Sequence, residues 1–227
     1  MDSRRGSPGA LLPIVRGGDG IVVVGGGGHA RVVISILRKL KCYDILGYAD
    51  LKDKGALIGV PYLGSDCELL ALAGGQAKLN AVLAVGQVGL GEPRYELWTR
   101  LDSPSLSFPF IVSPDAVINE GVSVGEGAVV MDGAVINTGA TIGRGGIVNT
   151  NSTVEHDVAL GDWVHVASGA TISGGVTIGH FSMIGAGATV IEGIKIVAGC
   201  MVGAGATVVH ALTEPGVYVG TPARRIK

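Results

Sequence analysis

The residues with chemistry to offer lie in two short stretches. TVEHDVALGDWVHVASG, residues 153–169, holds His156 and His165 nine residues apart. Glu155 and Asp157 flank the first of them, and the chain around both is otherwise built mostly from Gly, Ala, Val, Ile and Thr. Imidazole is the side chain that trades a proton near neutral pH. Histidines in so inert a setting therefore ask for a role in proton transfer or in a structural hydrogen bond. The second stretch is GGGGHA, residues 25–30. Gly25-x-Gly27-x-x-Ala30 fits the Gly-x-Gly-x-x-Gly/Ala phosphate-binding fingerprint, and Asp50 lies about 20 residues on. Gly25, Gly27 and Gly28 would let the backbone approach a pyrophosphate at a helix N-terminus. His29 can donate to a phosphate, and Asp50 can accept from a ribose hydroxyl or a base N–H. Each has a plainer reading as well: a tight turn needs glycine, His29 suits a helix's exposed first turn, and Asp50 suits a strand's end.

Two different frameworks must position these stretches. From Val112 to Val208 every sixth residue is Val, Ile or Leu, without a slip. Four residues after most of them stands a small residue, as at Ala116, Ala134, Ala170 and Ala188. A helix repeats about every 3.6 residues and a strand every 2, so neither explains six. A solenoid with flat sides does. Each hexad gives a short strand and a turn, the branched residue points to the axis, and three sides make a coil of about 18 residues. The period alone leaves the handedness open.

Ahead of this array, apolar runs and helical stretches alternate. Strands are expected at 21–24, 43–50 and 79–86, and helices at about 30–39, 66–73 and 92–101, which makes a small Rossmann-like parallel α/β sheet. The Ser- and Pro-rich junction DSPSLSFPFIVSPD, residues 102–115, marks a boundary. The chain is therefore read as a disordered extension at 1–20, a nucleotide-binding domain at 21–105 and a β-helix at 106–227. The first domain is too short for the two mononucleotide halves that grip a dinucleotide, so one nucleoside diphosphate suits it better than NAD.

Composition narrows the classes further. The net charge is −2 and no dense Lys/Arg stripe is present, which argues against nucleic acid as a partner. Mean hydropathy is positive, yet no apolar run reaches the roughly 18–20 residues that cross a bilayer, so no membrane insertion is expected. Cys42, Cys67 and Cys200 lie far apart, without metal or redox spacing, as in a reducing compartment such as the cytoplasm. His156, His165, His180 and His210 include no close pair suited to zinc, and no metal is expected.

The hexad array, with the closing segment GVYVGTPARRI (216–226), resembles the hexapeptide-repeat acyltransferases. Together with the glycine loop, it makes residues 21–225 similar to sugar acyltransferases of the sialic-acid O-acetyltransferase type. Within these the chain resembles most the nucleotide-aminosugar N-acetyltransferases of the bacillosamine and perosamine pathways. NTNSTVEHDVALGDWVHVASGATISGGVTIG (149–179) and GGGGHA carry the likeness.

The resemblance implies a left-handed parallel β-helix, a homotrimer with active sites between neighbouring β-helices, and acetyl-CoA as co-substrate. It implies His156 as general base when the amine of a nucleotide-linked 4-amino-4,6-dideoxy sugar attacks the thioester, with Asp157 fixing the ring's tautomer. An oxyanion donor is sought among the backbone N–H groups of Ser173–Gly175. Asn149 matches a position near the reacting amine, and His165 would face a neighbour's His156 near the thioester. Gly174, Ala186 and Ala204 match acetyl-CoA contact positions, and Arg224 is expected, with Arg225, at the CoA phosphates. The base stays open, with UDP the first expectation, GDP the second and dTDP behind them. O-acetylation of a sugar hydroxyl, or a nucleotide-sensing scaffold without catalysis, also stays open. The implied setting is cytoplasmic synthesis of a surface glycan such as a lipopolysaccharide O-antigen.

Overall fold

The computed structural model describes residues 19–75 and 78–227. The expected extension therefore lies outside the described residues, except that Asp19 and Gly20 form the start of the first strand. The N-terminal elements are β1 (Asp19–Val24), α1 (Gly28–Leu40), β2 (Tyr43–Ala49), β3 (Tyr62–Gly64), α2 (Asp66–Gly74), β4 (Leu79–Leu83), α3 (Glu92–Leu101) and β5 (Leu106–Ser107). The strands are parallel in the order β3-β2-β1-β4-β5. β1 sits at the centre, and Ile21, Val22, Val23 and Val24 are buried, as a strand covered on both faces requires. β3 and β5 were not expected. They are three and two residues long at the sheet's edges, too short for any pattern to show. β5 takes the sheet two residues past the expected boundary at 105.

From Ile111 onward the chain winds as a parallel β-helix. Strands pair with those 18 residues on: Ile147 with His165, Thr153 with Thr171, and Ala159 with Thr177. Three faces result. The first carries Ile147–Val148 and His165–Val166, the second Thr153–Val154 and Thr171–Ile172, the third Ala159–Leu160 and Thr177–Ile178. The hexad aliphatics Val148, Val154, Leu160, Val166, Ile172 and Ile178 fill one buried column. Each turn between faces places one residue in the left-handed region. Between positions 121 and 205 that residue is glycine except at Asn151, Asp157, Trp163 and Phe181.

The N-terminal domain lies on the first face. Val33, Ile36 and Leu37 of α1 share a buried cluster with Ile111, Val129 and Ile147. Lys39, at the far end of α1, bridges Asp115 and Asp132 of the β-helix at 2.7 and 2.6 Å. α3 covers the vertex where the third face meets the first: Trp98 stacks edge-on against Trp163 at 5.4 Å, and Tyr95 meets Phe181 at 5.7 Å.

Candidate functional site

At the carboxyl end of β1 the glycine loop turns into α1. Gly25 has φ +121°, and a Cβ there would stand 2.9 Å from the Ala84 carbonyl oxygen. Gly27 is the N-cap of α1 and supplies no side-chain cap, and the first turn holds no acid. A Cβ on Gly27 or Gly28 would meet nothing within 4 Å. α2 is different, since Ser65 and Glu68 close its start with a reciprocal capping box. The amino end of α1 is thus left open, with N–H groups and positive dipole facing outward, which suits a phosphate. Beside it lies a cleft of about 310 Å³, with Val24, Gly25, Asp50, Leu51, Asp66 and Arg100 in its wall.

Asp50 lines this cleft, but its carboxylate serves the loop. Oδ2 accepts from the Gly26 N–H at 2.7 Å and from Lys54 at 3.0 Å, and Oδ1 accepts from the Lys52 N–H at 3.2 Å. Burial pushes the carboxyl up, but the bonds from Lys54, Lys52 and Gly26 outweigh it and hold the group below its ordinary value. The carboxylate thus shapes the glycine turn, and only part of its acceptor capacity is left for a ribose or base.

His29, in the first turn of α1, is half-buried. Burial, then the nearby charge of Arg94, then His165 lower its pKa to about 4. The ring is therefore neutral, and its Nε2 is buried without a partner among the described residues. A neutral ring can still donate one N–H, so any bond from His29 to a phosphate would be made without a positive charge. His165 lies across the same junction, only 6% exposed. Its Nδ1 is 3.1 Å from the Gln87 carbonyl oxygen and its Nε2 3.2 Å from Asn149 Nδ2. The two contacts fit one neutral tautomer, with Nδ1–H donating to Gln87 and Nε2 accepting from Asn149. Burial and Arg94 lower its pKa to about 4, against the Gln87 bond. Asn149 Oδ1 in turn accepts from the Thr150 N–H at 2.7 Å. His165 is thus enclosed by its own chain, because the 86–91 loop covers the outward side of the first face. It was expected on an open side, facing another β-helix.

His156 and Asp157 sit at the vertex between the second and third faces, 58% and 74% exposed. His156 Nδ1 is 3.0 Å from Asp157 Oδ2. That bond outweighs burial and, with the charges of Asp157, Glu155 and Glu192, raises the imidazole above its ordinary value. The ring lies over Gly174, one coil on, where a Cβ would stand 2.5 Å from Nε2. Ser173 N–H donates to Val190 and Gly175 N–H to His156 O, whereas the Gly174 N–H has no partner among the described residues. The exposed His156 ring, held by the Asp157 carboxylate, thus covers the buried Gly174, whose N–H is left without a partner.

The expected acetyl-CoA positions divide between vertices. Gly174 lies under His156, while Ala186 and Ala204 stand exposed, one coil apart, at the vertex of the first and second faces. Their N–H groups have no backbone partner among the described residues. Arg224 is exposed at the closing end, whereas Arg225 is held by Glu214 at 3.0 Å and by the Pro215 carbonyl. Among the described residues no three His, Cys, Asp or Glu side chains gather as a metal site, and no helix is long and apolar enough to cross a membrane.

The PglD N-terminal domain family model matches residues 20–90. A search of curated proteins gave no match. Among solved structures, a histidine-to-asparagine variant of perosamine N-acetyltransferase from Caulobacter crescentus, in complex with CoA and GDP-perosamine, is 34% identical, and the match covers 96% of this chain and 100% of that one with a TM-score of 0.83. The chain belongs to the hexapeptide-repeat sugar N-acetyltransferases. The acetyltransferase domain of PglB from Neisseria gonorrhoeae, in complex with acetyl coenzyme A, is 30% identical over 92% of this chain and 100% of that one, with a TM-score of 0.84. WeeI from Acinetobacter baumannii, 24% identical over 92% of this chain and 100% of that one with a TM-score of 0.80, shares the fold. The β-helix is the left-handed one of these acetyltransferases.

Two residues of this acetyltransferase escaped the sequence reading. Arg94 is 2% exposed in α3. Its Nη1 donates to the Gly145 carbonyl at 2.6 Å and its guanidinium lies 5.7 Å from the Trp163 ring centre, while burial lowers its pKa to about 10. Gln87 holds His165 through its backbone. Nothing in EPRYELWTRL separates Arg94 from an exposed helix residue. Trp163 and Phe181 did leave a signal, since each interrupts the six-residue series of turn glycines.

Proposed function

We propose that this acetyltransferase moves acetyl from acetyl-CoA to the amino group of a nucleotide-linked 4-amino-4,6-dideoxy sugar. It would do so as a cytoplasmic homotrimer in surface-glycan synthesis. The observation that carries the reading is the His156–Asp157 pair set over Gly174. His156 Nδ1–H donates to Asp157, which leaves the Nε2 lone pair, the ring atom over Gly174, to take a proton. As the sugar nitrogen bonds to the thioester carbon, Nε2 takes its proton. The Gly174 N–H donates to the oxyanion, and collapse of the tetrahedral adduct breaks the C–S bond and expels the CoA thiolate, which is protonated in turn. No enzyme-bound acyl group is needed, because the thioester is already activated.

The placement of the parts supports a trimer. The nucleotide domain covers the first face, and His156 stands at the vertex of the second and third faces, opposite it. One chain therefore does not bring its own His156 to its own glycine loop. A neighbouring β-helix would supply the base, as a heterologous threefold contact allows. Acetyl coenzyme A bound by the PglB acetyltransferase domain and GDP-perosamine bound by the Caulobacter enzyme support the two substrates.

The test is acetyl-CoA consumption by the full-length protein with nucleotide-linked amino sugars and with free sugars. Turnover should require the nucleotide-linked amine, and His156→Ala should lower kcat by about two decades or more. Full activity in that variant, or equal use of a free sugar hydroxyl, would overturn the reading.

A further inference from the structure

The cleft beside the glycine loop holds groups of the right kind to choose among nucleobases. We infer, resting on the reading of this domain as a nucleotide-sugar site, that the base is guanine, recognised by the Asp66 carboxylate with Arg100 beside it. The cleft is about 310 Å³ and its wall is apolar at Val85, Pro93 and Leu97. Leu51 stands at its edge with 79% of its surface exposed, an aliphatic face on which a flat ring can lie.

Two carboxylates border the space. Asp50 has both oxygens engaged, by the Gly26 N–H, Lys54 and the Lys52 N–H. Asp66 keeps acceptor capacity: among the described residues it makes a single long contact, to Arg100 at 3.4 Å through Oδ2. It opens α2, but Ser65 and Glu68 already cap that helix, so the Asp66 carboxylate is not consumed there. Its side chain is 21% exposed and that of Arg100 57%.

An ionised carboxylate only accepts hydrogen bonds. Guanine presents N1–H and the N2 amine side by side on one edge, and both can donate to it. Uracil and thymine place a single N–H between two carbonyl oxygens, which a carboxylate would repel. Cytosine and adenine pair one amine with a ring nitrogen that also accepts. Only guanine offers two adjacent donors, and its O6, next to N1, takes a hydrogen bond from an arginine. The same acid thus attracts one base and rejects the others.

Isothermal titration of the full-length protein with GDP, UDP, dTDP and xanthosine diphosphate tests this. GDP should bind about 10- to 100-fold tighter than UDP or dTDP, the discrimination of one good bidentate pair. Asp66→Asn should weaken GDP by a similar factor and favour xanthosine diphosphate. There the amide oxygen accepts from N1–H and the amide N–H donates to the C2 carbonyl. Arg100→Gln, at an exposed position where folding is not at stake, should weaken GDP and leave UDP unchanged. Equal or tighter binding of UDP or dTDP, or GDP binding untouched by either variant, overturns the guanine assignment and leaves the nucleotide reading standing. No binding of any of the four overturns both.

Discussion

Replacing His165 by Gln should remove a specific acid sensitivity from this protein. The wild-type imidazole titrates near 6.5 when unfolded and near 4 in the fold, because burial and Arg94 oppose its charge. Between those two values the unfolded chain binds the proton and the folded chain does not, so stability falls as pH drops from about 6.5 to about 4 and levels off below. At pH 4.5 the ratio of the two binding polynomials corresponds to about 2.5 kcal/mol from this one ring. Gln keeps an oxygen to accept from Asn149 and an N–H to donate to the Gln87 carbonyl, but it does not titrate.

Urea unfolding of both proteins at pH 7 and at pH 4.5, at one protein concentration, measures the effect. Wild type should lose about 2.5 kcal/mol more than His165→Gln over that interval. His29 adds a parallel loss in both proteins, and its own drop should shrink in the variant because His165 no longer contributes charge beside it. Equal losses in the two proteins would mean that residue 165 titrates as if in water, and the enclosed His165–Gln87 contact would be wrong.

Three further results are expected. Asp157 raises the basicity of His156, so the acidic limb of kcat/KM against pH should lie above 6.5 and move to lower pH in Asp157→Asn, with a lower plateau; a limb that stays put would assign it to another group. Gly174→Ala puts a methyl group 2.5 Å from His156 Nε2 and should lower kcat about tenfold or more with little change in Tm, and an unaffected kcat would show that the ring does not work from this position. Gly27→Val fills the open space at the amino end of α1 and should raise KM for the sugar nucleotide but not for acetyl-CoA; equal losses in both would count against separate sites.

The β-helix was legible from Val112 to Val208 because its core repeats one residue type at one interval, and stacking leaves no other use for those side chains. The helices at Asp66–Gly74 and Glu92–Leu101 and the strand at Leu79 were legible from apolar runs and turn residues. β3 and β5 were not, since strands of two or three residues are set by their neighbours' hydrogen bonds and not by their own sequence. At the candidate site, the His156–Asp157 contact and the open glycine turn before α1 were legible because the residues are adjacent in sequence. His165 was misplaced because its exposure depends on the loop at 86–91, which the repeat does not describe. Arg94 and Gln87 were invisible for the same reason: each matters through a contact more than fifty residues away.

The turn glycines show how the fold and the chemistry share one chain. A left-handed residue is needed at every turn, and glycine adopts it at little cost. Any other residue there carries strain, least for Asn and Asp and most for a bulky ring. The four exceptions are not scattered. Trp163 and Phe181 hold α3 against the vertex of the third and first faces, and Asn151 reaches Gly133 on the previous coil. Asp157 stands alone at the opposite vertex with its carboxylate on His156. Each break thus brings a side chain to a neighbour: two rings to α3, Asn151 to Gly133, and Asp157 to both Gly139 and His156. A glycine at 157 would relieve the backbone and release the ring, so Asp157→Gly should raise stability slightly while lowering kcat with the nucleotide-linked amine, and unchanged kcat would leave the carboxylate without a part in the reaction.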